Sequence, residues 1–355
     1  MIGNRLKRAR EAMGLSLRDL EAAIQGQVTA QAIGKYERDE MMPGSTILLA
    51  LAKALHVTPE YLLSTREIDL VGVDFRKAPH AGAKEERAVE AEVLGQVERY
   101  LELEELMPDA DVSWSSPEGK EFQVHQIEDA EHAADKLRTL WKLGVDPIPI
   151  MAELLEERGI KVVALDLPIN VSGSKAFVQR PDQESIPVIV VNKQHNGERQ
   201  RFTLAHELAH LVLSFAGLSE RDQEKAADRF AGGFLMAKEM VFRVLGKNRT
   251  SISLGELVDL KKVFKVSVAC LAVRCAQLGV LSKAAYARLW RQIIALGWNS
   301  PASNEPGRLD PEVPQRMERL CFRAVSEGAV SESRAAELMK MSVRELDKRL
   351  TAQCA

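Results

Sequence analysis

The sequence predicts a multidomain protein in which an all-α domain is followed by a small α+β domain and a helical C-terminal region. Residues 1–65 read as five short helices separated by turns. From about Pro147 the pattern changes to β-type runs followed by paired helices, and from about Leu254 it is helical again. The predicted domains are 1–65, a mostly helical connector at 66–145, the α+β domain at 146–285 and the C-terminal region at 286–355.

The first 65 residues carry the start and stop signals of a compact helical module. Gly14 ends the first helix, and Ser16 and Thr29 are predicted to cap the second and third. Their side-chain oxygens can accept hydrogen bonds from backbone N–H groups of the first helical turn. Pro43-Gly44 is a turn before the fourth helix, and Pro59 begins the fifth.

The connector is predicted to contain a short strand at 66–75 and helices at 83–106 and 127–143, with no recognisable chemistry. The α+β domain begins with an amphipathic helix that ends at Gly159. Its further predicted elements are strands at 160–165, 175–179 and 187–192 and helices at about 199–215 and 222–236.

Composition limits the possible partners and compartment. The net charge of −3 means that any contact with nucleic acid comes from a local patch. Four cysteines without a CxxC pair indicate neither a disulfide framework nor a cysteine-rich zinc site, and Cys270 and Cys275 are interpreted as core residues. No signal peptide and no apolar run of membrane-spanning length are visible. We therefore expect a cytoplasmic protein without a membrane partner.

The segment from Phe202 to Leu213 contains the pattern H-E-x-x-H. His206 and His210 lie at i and i+4, so both project from one helical face and can share one Zn²⁺. Glu207 can take a proton from a water molecule that attacks a carbonyl group. The alternative is a helix with two partly exposed histidines and a solvated glutamate.

A second helix supplies carboxylates at the same spacing. Glu224 and Asp228 are i and i+4. One could bind zinc while the other holds a ligand histidine by its second ring nitrogen. The alternative is a solvated acidic helix face.

These residues carry a resemblance to a known family. The runs 187–192, 201–210, 227–231 and 234–236 resemble the ImmA/IrrE metallopeptidases over roughly residues 145–280. The resemblance implies a small zincin with one zinc per chain that cuts a repressor of the Xre type, in a stress, prophage or defence response. It also implies that His206, His210 and Glu224 are the ligands and that Glu207 is the base.

The choice of Glu224 has support from its neighbours. Glu220 and Asp222 are predicted to lie in or at the edge of the loop after Gly217, and Glu239 lies about four helical turns beyond Glu224. Asp228 is then the residue that orients a histidine. No oxyanion-stabilising residue is assigned, because His195 lies too far back along the chain.

The first 65 residues resemble the Xre (Cro/C1-type) helix-turn-helix. The resemblance is carried by residues 15–22, 28–38 and 55–63. It implies that the third helix enters the major groove of an operator by its N-terminal turn. The residues placed to contact double-stranded DNA are then Arg18, Thr29, Ala30, Gln31 and Lys35.

The charge of this module indicates modest nonspecific affinity. Acidic residues just beyond the third helix, at 37, 39 and 40, are partly offset by basic residues at 5, 7, 8 and 10. The alternative is a helix-turn-helix used for protein contact or dimerisation, and a homodimer is possible. A second such motif at 331–350 is weaker, and packing or dimerisation is the preferred interpretation there.

The sequence thus predicts a transcriptional regulator coupled to zinc-dependent proteolysis, with an Xre-type repressor as substrate. One alternative is a DNA-binding regulator or antitoxin whose zincin domain serves in sensing or interaction. Another is a peptidase whose N-terminal module docks onto the repressor that it cuts.

Overall fold

The computed structural model describes residues 2–63, 68–72, 83–110, 112–181, 183–300 and 304–352. Its helices are α1 (Gly3–Ala12), α2 (Leu17–Ala23), α3 (Ala30–Glu37), α4 (Ser45–Ala54), α5 (Pro59–Leu63), α6 (Ala83–Leu106), α7 (Asp129–Leu140), α8 (Met151–Glu156), α9 (Gly197–Val212), α10 (Glu220–Leu235), α11 (Lys238–Leu245), α12 (Leu254–Phe264), α13 (Val268–Gln277), α14 (Lys283–Ala295), α15 (Arg316–Ser326), α16 (Glu332–Leu338) and α17 (Val343–Ala352). Its strands are β1 (Asp69–Val71), β2 (Gln123–Val124), β3 (Lys161–Leu165), β4 (Gly173–Gln179), β5 (Ile186–Asn192) and β6 (Ser214–Phe215).

The order of these elements confirms the predicted fold class: a helical N-terminus, a mixed α/β middle with a small sheet, and a helical C-terminal region. The chain divides into two compact units. The first comprises Met1–Asp111, Ala176–Ile186 and Gln315–Ala355, and the second comprises Val112–Lys175 and Pro187–Pro314. The domain boundaries predicted from the sequence stay predictions.

In the first unit, α1 to α5 enclose a core of their own. Ser16 accepts a hydrogen bond from Asp19 N, and the Asp19 carboxylate accepts one from Ser16 N, which forms a capping box for α2. Thr29 caps α3 by accepting from Ala32 N. Both predicted caps are therefore present. The fully buried core side chains include Leu6, Leu20, Ile33, Leu51 and Leu62.

The remainder of the first unit is mainly helical. The α6 helix packs against both α1 and α15. Arg5 of α1 pairs with Glu98 of α6, and Arg316 of α15 pairs with Glu104. Strand β1 pairs antiparallel with the end of β4, Asp69 opposite Gln179. Of the strand predicted at 66–75, residues 66, 67 and 73–75 lie outside the described residues.

In the second unit, β3 and β5 form a buried parallel pair. Strands β3 and β5 pair from Lys161 opposite Val188 to Leu165 opposite Asn192. The sheet has the order β1-β4-β5-β3. Gly173 begins β4, and a Cβ there would lie 2.5 Å from the Val190 carbonyl oxygen, so the close approach to β5 requires glycine. The unbroken apolar run of β5 fits a strand covered on both faces.

Helices α7, α9 and α10 form the centre of the second unit. Helix α9 ends at Val212, earlier than the predicted limit of 215, because Ser214 and Phe215 form β6 and pair with β2. Helix α10 begins at Glu220 rather than at Asp222, because Ser219 caps it. These residues were predicted in or at the edge of the loop, and the predicted start of the helix at about Asp222 is two residues late. Both are in the first turn of the helix.

The predicted helical stretch after Leu254 is interrupted. Among the described residues between α14 and α15, 304–314 have no helix and lie along the start of α9. Leu309 N donates to Glu198, and Glu312 accepts from Arg201 and from Ala152 N. These contacts hold the first two turns of the helix that carries H-E-x-x-H.

Candidate metal centre

Two neighbouring helices of the second unit bring the predicted ligand residues together. His206 contacts Asp228 and His210 contacts Glu224, so the ligand-bearing faces of α9 and α10 run antiparallel. The apolar side of α10 is buried by Phe230 and Phe234, whose rings stack at 5.6 Å between centroids. The same α-helical spacing that places each pair on one face therefore brings the two faces into register.

The ligand atoms of His206, His210 and Glu224 all lie within 4.8 Å of one another. The two Nε2 atoms are 3.2 Å apart. The Glu224 carboxylate oxygens lie 3.3 Å from His206 Nε2 and 3.5 Å from His210 Nε2. Ligand atoms at 2.0–2.1 Å from a tetrahedral zinc would be roughly 3.3 Å apart. Two imidazoles and one carboxylate at this spacing fit zinc.

Asp228 lies behind the first histidine. Its Oδ1 is 2.9 Å from His206 Nδ1, on the opposite side of the ring from the nitrogen that faces His210 and Glu224. Burial opposes protonation of His206, but hydrogen bonds to Asp228 and Glu224 and the negative charge of Glu207 outweigh it. Together they raise the pKa of His206 to about 10. The site thus concentrates negative charge where a cation would bind.

Three neighbours of the centre were not found from the sequence. Lys175 of β4 donates to the His210 carbonyl oxygen at 2.7 Å. The Phe215 ring packs against the His210 ring at 5.6 Å between centroids. Glu131 of α7 binds Arg229 of α10 at 2.7 Å. The spacing of residues along the sequence does not indicate these contacts. Each of them joins two different helices or a strand and a helix.

His195 does not belong to this centre. Its ring is buried, and Nε2 is 2.8 Å from the Ile169 carbonyl oxygen. It precedes α9, and the nine residue steps from Gly197 to His206 span roughly 14 Å of helix. Burial lowers the pKa of His195, so it is a neutral core residue. His195 therefore has no assigned role in stabilising an oxyanion.

The residues predicted to contact DNA lie on and beside α3. Arg18, Thr29, Gln31 and Lys35 are exposed and Ala30 is half-buried. The neighbouring apolar positions expected in the core, Leu20, Ile33 and Leu51, are buried.

Three of the four basic residues of α1 are engaged with carboxylates. Arg10 forms two hydrogen bonds with Glu37, at 2.6 and 2.8 Å. Arg8 pairs with Asp69 at 2.6 Å, and Arg5 pairs with Glu98. These arginines therefore neutralise acids within the first unit rather than add to a surface patch for DNA.

Burial raises the pKa of Cys270 to about 12 and that of Cys275 to about 11. Both side chains are free thiols. Cys275 is a buried core residue, as predicted, whereas Cys270 is half-buried and packs against that core.

Comparison with protein families gives two matches. Residues 155–276 match the model of the peptidase M78 family, described as an IrrE N-terminal-like domain. Residues 6–62 match a helix-turn-helix model. No curated protein is significantly similar to the chain. Among the described residues, every helix is too short or too polar to cross a membrane.

Proposed function

Because residues 155–276 form an IrrE-like domain of the peptidase M78 family and residues 6–62 form a helix-turn-helix domain, we propose that this chain is a DNA-binding regulator that also cleaves a protein by zinc-dependent hydrolysis. The single observation that carries the proposal is the convergence of His206, His210 and Glu224 within 4.8 Å. Two histidines and a carboxylate, with a glutamate next to the first histidine, are the donor set of a catalytic zinc site.

The proposed ligands are His206, His210 and Glu224. Zinc held by them would supply the Lewis acidity that activates water and polarises the peptide carbonyl. Asp228 keeps the His206 ring oriented by accepting from Nδ1–H, so that Nε2 keeps its lone pair for the metal. One zinc per chain is expected.

Glu207 is the proposed general base. It is half-buried on α9, directly after the first ligand. It would take a proton from the attacking water and pass it to the amine that leaves when the peptide bond breaks.

The proposed substrate is a repressor with an Xre-type DNA-binding domain. Support comes from the resemblance to the ImmA/IrrE peptidases and from the helix-turn-helix in the same chain. The exposed residues of α3 would bring the peptidase domain to the operator where such a repressor is bound. Cleavage there would relieve repression.

The test uses a purified Xre-type repressor encoded beside this gene, with the zinc-loaded full chain. Glu207→Gln should keep one zinc per chain but lower the cleavage rate roughly 10²- to 10⁴-fold, because only the proton transfer is removed. Zinc is measured by atomic emission and fragments by mass spectrometry. Glu220→Gln, the same chemical change in the first turn of α10, is the matched control and should cut at the wild-type rate.

Cleavage by Glu207→Gln at the wild-type rate would contradict the hydrolytic mechanism. An intact repressor after incubation with the zinc-loaded wild type would instead favour a sensing or interaction role for the IrrE-like domain. Operator binding by the full chain, measured separately, distinguishes a DNA-binding module from one that docks onto the repressor.

A further inference from the structure

The facing sides of α9 and α10 that carry the ligand residues continue one helical turn beyond them, and we call these two sides together the groove. We define it by six residues at i, i+4 and i+8 on the two helices: Phe202, His206 and His210 on α9 and Glu224, Asp228 and Gly232 on α10. Because the two faces run antiparallel, His210 lies opposite Glu224 and His206 opposite Asp228. Phe202 and Gly232 therefore form the next layer, about 6 Å further along the helices.

A cavity of about 290 Å³ occupies that next layer. Its walls include three groove residues, Phe202, Asp228 and Gly232. Gly232 leaves space, since a Cβ there would meet its nearest neighbour only at 3.7 Å. A water molecule takes up about 30 Å³ in the liquid, so the cavity can hold a large side chain. It adjoins the metal centre through Asp228, which bonds to His206 at 2.9 Å.

The outer wall of the cavity comes from the chain beyond the matched family domain. Trp290 of α14 and Trp298 after it line the cavity, and the family match ends at residue 276. Together with Phe202 they give three aromatic walls, and Val273 and Ala269 of α13 add aliphatic surface. This chain's own C-terminal extension thus completes a largely apolar cavity beside the metal centre.

Several charged residues of the lining contact other groups of the protein, although Glu198 Oε2 and Arg199 Nε are buried without a hydrogen bond to a described residue. Lys261 contacts both Glu198 and Glu305, so that its single positive charge is shared between two carboxylates. Arg274 binds Glu131 with two hydrogen bonds at 2.6 Å, Arg199 donates to Ser172 at 2.6 Å, and Asp228 holds His206. The support for an apolar occupant is therefore the contact surface of the three aromatic side chains and of Val273 and Ala269.

We propose that this cavity is the specificity pocket of the peptidase and takes an aromatic or long aliphatic side chain of the substrate, at the residue beside the scissile bond. Consecutive residues of an extended peptide are about 3.3–3.4 Å apart. A side chain next to a carbonyl at the metal centre therefore reaches the following turn of the groove. This inference rests on the proposed function.

The experiment uses neutral hydroxamates, which chelate zinc, with the zinc-loaded full chain. Two matched pairs place a benzyl group on either side of the chelator. They are N-acetyl-phenylalanine hydroxamate with N-acetyl-glycine hydroxamate, and the methylamide of 2-benzylsuccinic monohydroxamate with the methylamide of succinic monohydroxamate. The benzyl compound of one pair should bind roughly 10- to 100-fold tighter than its partner, the range expected for burial of an aromatic side chain. Affinity is measured by titration calorimetry.

Ala269→Phe should fill the cavity and abolish the benzyl preference, while binding of the compounds without benzyl stays unchanged. Ala276→Phe is the matched control, because Ala276 is half-buried on the same helix but does not line the cavity. It should keep the preference. Trp298→Ala is a second variant that removes a wall, and it should weaken the preference several-fold. Quenching of tryptophan fluorescence by the benzyl compound should be smaller in this variant than in the wild type.

Equal binding within both pairs, or a preference that persists in Ala269→Phe and in Trp298→Ala, would overturn the pocket while leaving the metal centre standing. Failure of all four hydroxamates to bind the zinc-loaded chain would overturn the proposed function and the pocket with it.

Discussion

The role proposed for Asp228 rests on its contact with His206 of α9 and on its comparison with Glu224 of α10. Its carboxylate bonds to Nδ1 of His206, and this leaves Nε2 directed toward His210 and Glu224. Glu224 has both oxygens near histidine nitrogens, at 3.3 and 3.5 Å. The two carboxylates therefore differ in their contacts although they lie on the same face of one helix. We propose that Glu224 is a ligand and that Asp228 orients one.

The two roles predict different losses of zinc affinity. Glu224→Ala should lose most of the affinity, because it removes one of three protein ligands. Asp228→Ala should lose less, on the order of 10- to 100-fold, as is typical when the partner of a ligand histidine is removed. Competition with a chromophoric chelator measures both. Glu220→Ala is the control, and zinc lost in this variant but retained in Glu224→Ala would reverse the assignment.

At the scale of elements, α7, α10 and α13 are joined by one carboxylate. Glu131 of α7 binds Arg229 of α10 at 2.7 Å and Arg274 of α13 at 2.6 Å. Arg274 is buried, and it also donates to the Met236 carbonyl oxygen at 3.0 Å. Because α10 carries Glu224 and Asp228, this contact helps to fix the helix that completes the metal centre.

Glu131→Gln should reduce the free energy of unfolding by about 3 kcal/mol, because it leaves the buried Arg274 without its counter-charge. Burial opposes ionisation of Glu131, but Arg274 and Arg229 outweigh it and lower the pKa of this carboxyl. A lowered pKa stabilises the fold above the ordinary value of 4.5. That contribution is lost as the pH falls through the lowered pKa.

Urea denaturation at several pH values measures the difference between wild type and Glu131→Gln. The difference in free energy of unfolding should have its full size at pH 7. It should become smaller below about pH 4.5, the ordinary pKa of a glutamate carboxyl group. Glu128→Gln, an exposed acid just before α7, serves as the control and should change little. A difference that grows as the pH falls would contradict the linkage.

At the scale of the whole molecule, charge limits how the chain can meet DNA. The net charge is −3, and Arg5, Arg8 and Arg10 are paired with carboxylates. Nonspecific attraction to the phosphate backbone should therefore be weak. We therefore expect operator binding to depend on the few exposed residues of α3, above all Gln31 and Lys35.

The double variant Gln31→Ala, Lys35→Ala should bind its operator at least about tenfold more weakly, since each good base contact is worth about 1–3 kcal/mol. The operator is a duplex selected from a random library with the wild-type chain, and affinity is measured by fluorescence anisotropy at fixed salt. Lys7→Ala removes one exposed charge from α1 and is the control. Unchanged affinity in the double variant, with unchanged circular dichroism, would exclude this docking.

Features set by local geometry could be predicted from the sequence. The caps at Ser16 and Thr29 and the pairs His206/His210 and Glu224/Asp228 depend only on residues three or four apart, and the helix itself fixes that spacing. The fold class followed from the periods of the apolar residues, which change from helical to strand-like and back. The predicted start of α10 at about Asp222 is two residues late, because Ser219 caps the helix and Glu220 is its first residue.

Only the tertiary structure decided which faces meet. His206 and Asp228 are 22 residues apart, and they are in contact because α9 and α10 pack antiparallel. This contact is the basis for assigning different roles to Asp228 and Glu224. Long-range packing also explains why residues 304–314 lie along α9 and why Trp298 lines the cavity beside the groove. The same holds for the ion pairs between the arginines of α1 and carboxylates that are distant in sequence. Such contacts depend on burial of surfaces that no spacing along the chain encodes. The local sequence therefore determined the candidate ligands, and long-range packing determined the surroundings in which they would act.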